Sequence, residues 1–223
     1  IHAFACPLAP LRIKQKLPNA KFILCLREPV SRSHSHWNMI LNTKEAEKNG
    51  ADWSTFEKAW SDNRLKDDSM YGLSMSRWLS EFDLNRFLII DSAILKTNPH
   101  LILKSIEKFL GIESGDYDID ANRHSNSAAS RRPMTNTGKT IKMVFSLIPS
   151  FLKKPIVERL QSVDFNIYNL PLLSRKGISH SINSSHYNIC GKELIKDLEL
   201  FEKLTDFDTS KWLEEIKTQL DID

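Results

Sequence analysis

The segment Lys21-Phe-Ile-Leu-Cys-Leu-Arg27 constrains this chain most: an unbroken apolar run that ends in a charge and is followed almost at once by Pro29. An apolar run without alternation fits a strand buried on both faces, as in a parallel sheet. Proline suits a first helical turn, where its missing N–H has no partner to lose. Val30 to Lys48 reads as the helix that follows. Asn85-Arg-Phe-Leu-Ile-Ile-Asp91 is a second run of the same kind. Asn98-Pro99 then opens a helix to Leu110, with Gly111 at its C-terminal end. Strand–helix alternation occurring twice argues an α/β fold, a parallel sheet flanked by helices.

The rest of the chain reads as mostly helical. Ala9 to Leu17, Asp52 to Trp60, Met70 to Phe82, Lys192 to Leu204 and Thr209 to Leu220 are expected helices, with Asp208 as N-cap of the last. Glu113 to Thr140 is polar and rich in Ser and Asn, so a long loop is expected there. Ile141 to Leu160 reads as a helix interrupted by Pro149 and Pro155. Ile141 to Ile156, apolar with lysines, is expected to pack against the sheet, with membrane contact as the alternative. Asn166 to Ile189 reads as irregular. A length of 223 residues suits one core and a single domain over 1–223. Two strands are few for such a sheet, and the first residue is Ile1, so a piece of a longer protein is expected.

Charge and cysteines narrow the function classes. A net charge of +3 is too weak to mark a nucleic-acid binder. From Arg131 to Lys176 there are nine Lys or Arg against Glu158 and Asp164, a local excess greater than that of the whole chain. That stretch reads either as a solvated basic face or as a surface for an anionic ligand. Cys6, Cys25 and Cys190 are widely spaced and form no CxxC or Cys/His ligand pattern, so no metal is expected, and reduced thiols in a cytoplasmic setting are the default. His34 and His36 are two apart and point to different helix faces, which makes them poor joint ligands. No apolar run approaches the ~18–20 residues of a membrane span.

The turn after the first run carries the chemistry. Arg27 stands at the carboxyl end of the expected strand, the edge beyond which open α/β sheets bind ligands. The next helix starts at Pro29, so its free N–H groups and positive dipole end are expected to face the same place. Arg32, Ser35 and His36 fall at i, i+3 and i+4 on one helical side. An arginine fork, a hydroxyl and a helix N-terminus together suit a phosphate dianion. The alternative is a surface Arg27 paired with Glu28 or Glu45 and no function.

Arg-x-Pro-x-x-Arg-x-x-Ser-His-Trp after an apolar strand resembles the sulfotransferases that use 3′-phosphoadenosine-5′-phosphosulfate (PAPS), particularly the bacterial and Golgi-type glycan branch. Tyr71-x-x-x-Met75-x-x-Trp78, Phe87-Leu-Ile-Ile-Asp-Ser92 and Phe109-Leu-Gly-Ile112 are similar to later pieces of that family in the same order, as is Leu204-Thr-Asp-Phe-Asp-Thr-Ser-Lys-Trp212. The resemblance implies a P-loop-like sulfotransferase fold, PAPS as donor, no metal, and a carbohydrate hydroxyl or amine as acceptor. It places the donor's 3′-phosphate on Arg27 and Ser35, with Arg32 orienting the loop. It also implies a later donor-binding loop at Arg131 or Arg132, with Arg175 and Lys176 as the second choice. Three features depart from the family. No acidic pair follows Asp91-Ser92, Asp206 stands where the family has Gly, and the Lys-x-Gly-Thr-[Ser/Thr] loop that cradles the 5′-phosphate is absent, expected with the catalytic base upstream of Ile1. A nucleotide-binding phosphoryl-transfer enzyme and a non-catalytic binding module remain as other readings.

Overall fold

Strands β1 (Phe22–Leu26) and β2 (Phe87–Asp91) run parallel, with Phe22 opposite Phe87 and Leu26 opposite Asp91. The structure is a computed structural model that describes residues 2–43, 45–117, 134–149, 153–155, 159, 172–175 and 177–222. Ahead of β1 stand α1 (His2–Ala5) and α2 (Ala9–Lys16). Between the strands come α3 (Pro29–Thr43), α4 (Glu45–Lys48), α5 (Phe56–Trp60), α6 (Asn63–Lys66), a 3₁₀ turn (Asp67–Ser69) and α7 (Tyr71–Leu79). After β2 follow α8 (Ser92–Thr97), α9 (Pro99–Leu110), α10 (Asn136–Leu147), α11 (Ser184–Thr205) and α12 (Ser210–Leu220). The described residues are mainly helical around a parallel pair of strands, and the expected α/β class holds.

The chain divides into two compact units. One comprises Ile1–Trp37, Ala51–Asn122 and Ser181–Asp223; the other comprises Asn38–Gly50 and Arg123–His180. In the first unit, the sheet is anchored by aromatics on one face. The Phe22 ring stacks on Phe87 and meets Trp78 and Phe82 edge-on, each at 4.8 Å between centroids. Paired residues of a parallel ladder share a face, so Phe22 and Phe87 stand side by side there. The other face corrects the expectation of two buried sides: Ile23 and Cys25 are exposed while Leu26 is buried. The apolar run therefore overstated burial for β1, while in β2 Ile90, opposite Cys25 on the same face, is buried.

The second half of this unit is built on α11. Tyr187, Cys190, Leu194, Leu198 and Phe201 recur at helical spacing and are all buried. Tyr71 packs against Phe201 and Trp212, which ties α7 to both closing helices. Gly72 allows this approach, since a Cβ there would lie 2.3 Å from the Asp197 carbonyl oxygen. α11 begins at Ser184, earlier than the expected Lys192, and replaces the end of the segment read as irregular. The imidazole of His186 closes its first turn by accepting the Asn183 N–H at 3.2 Å. α5 begins only at Phe56, where the Thr55 hydroxyl caps it. The last helix has Thr209 at its N-cap; Asp208 accepts the Ser210 N–H one residue earlier.

In the second unit, α10 starts at Asn136, inside the segment read as a loop, and ends at Leu147. Thr135 explains the early start: its hydroxyl oxygen accepts the Gly138 N–H at 2.9 Å and donates to the Leu172 carbonyl at 2.8 Å. Gly138 is required there, since a Cβ would fall 2.1 Å from the Leu173 carbonyl oxygen. Two asparagines of α3 hold an extended segment in the same unit. The Asn42 amide exchanges hydrogen bonds with the backbone N–H and carbonyl of Ile178 at 2.7 Å each. The Asn38 amide does the same with His180, at 2.9 and 3.1 Å.

Candidate functional site

The turn between β1 and α3 is set by Glu28. Its side chain is buried, and its two carboxylate oxygens accept the N–H groups of Val30 at 2.7 Å and Ser31 at 2.5 Å. Burial pushes its pKa up, and the two backbone bonds partly offset this. This corrects the expectation that the first amides of α3 are free to meet an anion: Glu28 already occupies them and neutralises the positive helix end. It also corrects the idea of an Arg27–Glu28 pair. The signal was available, because an acid directly before a proline that opens a helix is well placed to cap it.

Arg27 is half-buried at the end of β1. One guanidinium nitrogen donates to the Ser31 carbonyl, and its own carbonyl accepts the hydroxyl of the fully buried Tyr71 at 3.0 Å. The Nε of Arg27 is buried without a hydrogen-bond partner. A buried donor of that kind costs roughly 1–3 kcal/mol while unpaired. Burial also lowers the pKa of the guanidinium, so the site disfavours its charge; a bound anion would offset both terms. Ser35 lies one turn beyond Ser31 on the same side of α3, about 6 Å further along the axis.

Arg32 is turned elsewhere. It donates to Asp68 at 2.6 Å, to the Ser69 hydroxyl at 2.9 Å and to the Leu65 carbonyl at 3.3 Å. His36 joins this cluster, 3.4 Å from Arg32, with its ring against Trp53. Desolvation and the neighbouring Arg32 hold the His36 pKa down at about 4, so it is neutral at physiological pH. Asp68, buried at the 3₁₀ turn, anchors the group and was not singled out in the sequence. Ser33 adds a second tie to the same turn through the Ser69 hydroxyl at 2.6 Å.

The histidine pair reads as packing. His34 and His186 are both buried and meet edge-on at 4.7 Å, beside Trp37 and Phe56. The Trp37 indole donates to the Trp53 carbonyl at 2.9 Å and is buried in this core. Among the described residues no group of His, Cys, Asp or Glu is arranged to hold a metal. Arg131, Arg132 and Lys176 lie outside the described residues; Arg175 is exposed.

A half-buried arginine at the carboxyl end of a parallel strand, followed by a capped helix, is matched by a known family. The profile of the Sulfotransferase domain matches residues 3–160. The chain belongs to the sulfotransferase domain family. Its curated relatives include the bifunctional heparan sulfate N-deacetylase/N-sulfotransferase 1 of Xenopus laevis, 29% identical over 125 residues that make up 51% of this chain and 14% of that protein. The heparan sulfate glucosamine 3-O-sulfotransferase 5 of Homo sapiens is 30% identical over 111 residues, 46% of this chain and 32% of that protein. The sulfotransferase matches thus span a minor part of these relatives. The solved sulfotransferase of Alicyclobacillus acidocaldarius superposes with a TM-score of 0.55 at 14% identity, over 94% of this chain and 64% of that one, a likeness of fold.

Proposed function

We propose that this chain is part of a PAPS-dependent sulfotransferase that moves a sulfuryl group to a hydroxyl or amine of a carbohydrate. The carrying observation is the buried, unpartnered Nε of Arg27 at the carboxyl end of β1. In this reading Arg27 grips the donor's 3′-phosphate through Nε, and the Ser35 hydroxyl donates to the same group. Arg32 is a positioning residue, since its donors go to Asp68, Ser69 and Leu65 and hold α3 against the 3₁₀ turn. Arg131 and Arg132 are candidates for the later contact with the donor. When bound, PAPS supplies the activated sulfuryl group. The grip on the 3′-phosphate gives preference over nucleotides that lack it and orients the donor for in-line transfer. The carbohydrate acceptor is supported by the names of the relatives, which act on heparan sulfate or its glucosamine. The free thiols Cys6, Cys25 and Cys190 agree with a cytoplasmic setting.

The test is calorimetric titration with 3′,5′-ADP and with 5′-AMP. The 3′-phosphorylated nucleotide should bind far more tightly. Arg27→Ala should weaken it by about tenfold to a hundredfold, the range for a charge-assisted hydrogen bond. Ser35→Ala should cost about tenfold or less. Equal affinity for both nucleotides would replace this reading with a phosphoryl-transfer enzyme. Binding of neither would leave a non-catalytic module.

A further inference from the structure

Tyr71 is fully buried at the start of α7. Its ring packs on Phe201 and Trp212, and the amides of the next two residues, Gly72 and Leu73, are held by the Asp197 carboxylate of α11. The ring is thereby fixed in place, and its hydroxyl with it. A buried phenol needs a hydrogen-bond partner. This one donates to the Arg27 carbonyl at 3.0 Å, 44 residues back along the chain. Burial pushes the Tyr71 pKa up, so the proton stays on the oxygen and the phenol remains a donor.

The bond matters for where it lands. Arg27 follows the last residue of β1, and its peptide plane joins the strand to the turn that Glu28 caps. Rotation at that joint sets how the Arg27 side chain stands to α3. The guanidinium is tied at its tip to the Ser31 carbonyl, while its Nε is buried without a partner. With the base held by Tyr71 and the tip by Ser31, Nε is kept in one place before a ligand arrives. Binding groups must be held within about 0.5 Å of their productive geometry, and a long side chain magnifies any turn at its base. A phenylalanine would fill the same space as Tyr71 and let the peptide plane turn. The hydroxyl thus supplies what packing alone does not.

We propose that Tyr71 is a positioning residue for the donor's 3′-phosphate: its hydroxyl fixes the Arg27 carbonyl and so aims the Arg27 Nε. The inference rests on the reading of Arg27 as the grip on that phosphate and deepens it. It ties the grip to α7 and, through Asp197, to α11. In this role Tyr71 acts through Arg27 and not by touching the nucleotide.

The experiment is calorimetric titration of the 223-residue chain and of Tyr71→Phe with 3′,5′-ADP and with 5′-AMP. Tyr71→Phe should bind 3′,5′-ADP about threefold to tenfold more weakly, the range for one net hydrogen bond, and 5′-AMP as the parent does. In an Arg27→Ala background the same substitution should change 3′,5′-ADP affinity by less than about twofold. Ile216→Val trims a buried side chain packed on Gly191; it should lower the Tm yet bind both nucleotides like the parent. On the parent itself, nitrogen NMR relaxation should find the Arg27 Nε–H restricted in the absence of ligand. The inference is overturned if the parent prefers 3′,5′-ADP while Tyr71→Phe binds it equally well, or if both nucleotides weaken alike. It is also overturned if the loss persists without Arg27, if Ile216→Val loses as much, or if the Nε–H moves freely. A parent with no preference for 3′,5′-ADP would remove the 3′-phosphate reading itself, and this inference with it.

Discussion

The N-termini of α3 and α7 are both closed by a buried carboxylate, yet one carboxylate is local and the other comes from across the fold. Glu28 stands two and three residues before the amides it accepts, those of Val30 and Ser31. Asp197 accepts the N–H groups of Gly72 and Leu73 at 2.8 and 2.9 Å, from 125 and 124 residues further along the chain. In both, burial raises the carboxyl pKa and the backbone bonds pull it partly back. The chemistry is the same and the work differs. Glu28 shapes one turn beside Arg27, whereas Asp197 docks α11 on α7 where Gly72 lets the backbones meet.

The largest effect should come from the distant cap. Asp197→Ala leaves two amides at a buried helix interface without an acceptor, and the unfolding free energy should fall by about 3 kcal/mol in urea denaturation. Glu28→Ala should cost about 2 kcal/mol by the same measurement, because the start of α3 can recruit water more easily. If the two losses come out in the opposite order, the distinction between a tertiary and a local cap is wrong.

A smaller effect concerns pH. A raised folded pKa means that the folded chain holds these protons where the unfolded chain has released them. The unfolding free energy therefore falls as pH climbs from the ordinary carboxylate range through the raised folded values. Glu28→Gln removes its share, so the Tm of the parent relative to this variant should rise as pH is lowered through that window. A difference that stays constant with pH would show that Glu28 does not carry the shift.

His36 offers the opposite sign at the smallest scale. Its pKa is held at about 4 against an ordinary value of 6.5, so the unfolded chain takes up a proton first as pH falls between them. The stability lost over that window should shrink in His36→Gln, and NMR titration should find the imidazole neutral at pH 6. Asp68 and His2 flank the ring along with Arg32, and Asp68 opposes the downward shift. A midpoint near the ordinary value would mean that the carboxylate prevails over burial.

The same contrast explains what could be read from the sequence. The segment from Phe22 to Thr43 was legible because every determinant is local: an apolar strand, a proline, then a helix. The second strand was legible for the same reason, and the parallel pairing followed from the helices between them. The beginning of α11 was not. Ser184, Ser185, Asn188 and Gly191 are poor helix formers, and the buried Tyr187 and Cys190 that override them gain their packing only through the fold. At the site, Arg27 and Ser35 could be singled out from their spacing, with Arg32 beside them. What Arg32 touches could not, because Asp68 and Ser69 reach it only through the fold. The capping of α3 by Glu28 was visible in principle and was outweighed by the attraction of a free helix end beside an arginine.

The asparagine clip in the second unit has its own consequence. Four residues of helix advance about 6 Å and two residues of extended chain advance about 6.6–6.8 Å, so Asn38 and Asn42 stand nearly in step with Ile178 and His180. The helix thereby presents two side-chain amides in the pattern of a neighbouring strand, and what it recognises is main chain alone. Sequence information for this joint is stored on the helix side, apart from Gly177, where a Cβ would lie 3.0 Å from the Asn42 amide oxygen. Selection from a library should return asparagine at 38 and 42 while accepting many letters at 178, a position whose side chain faces solvent.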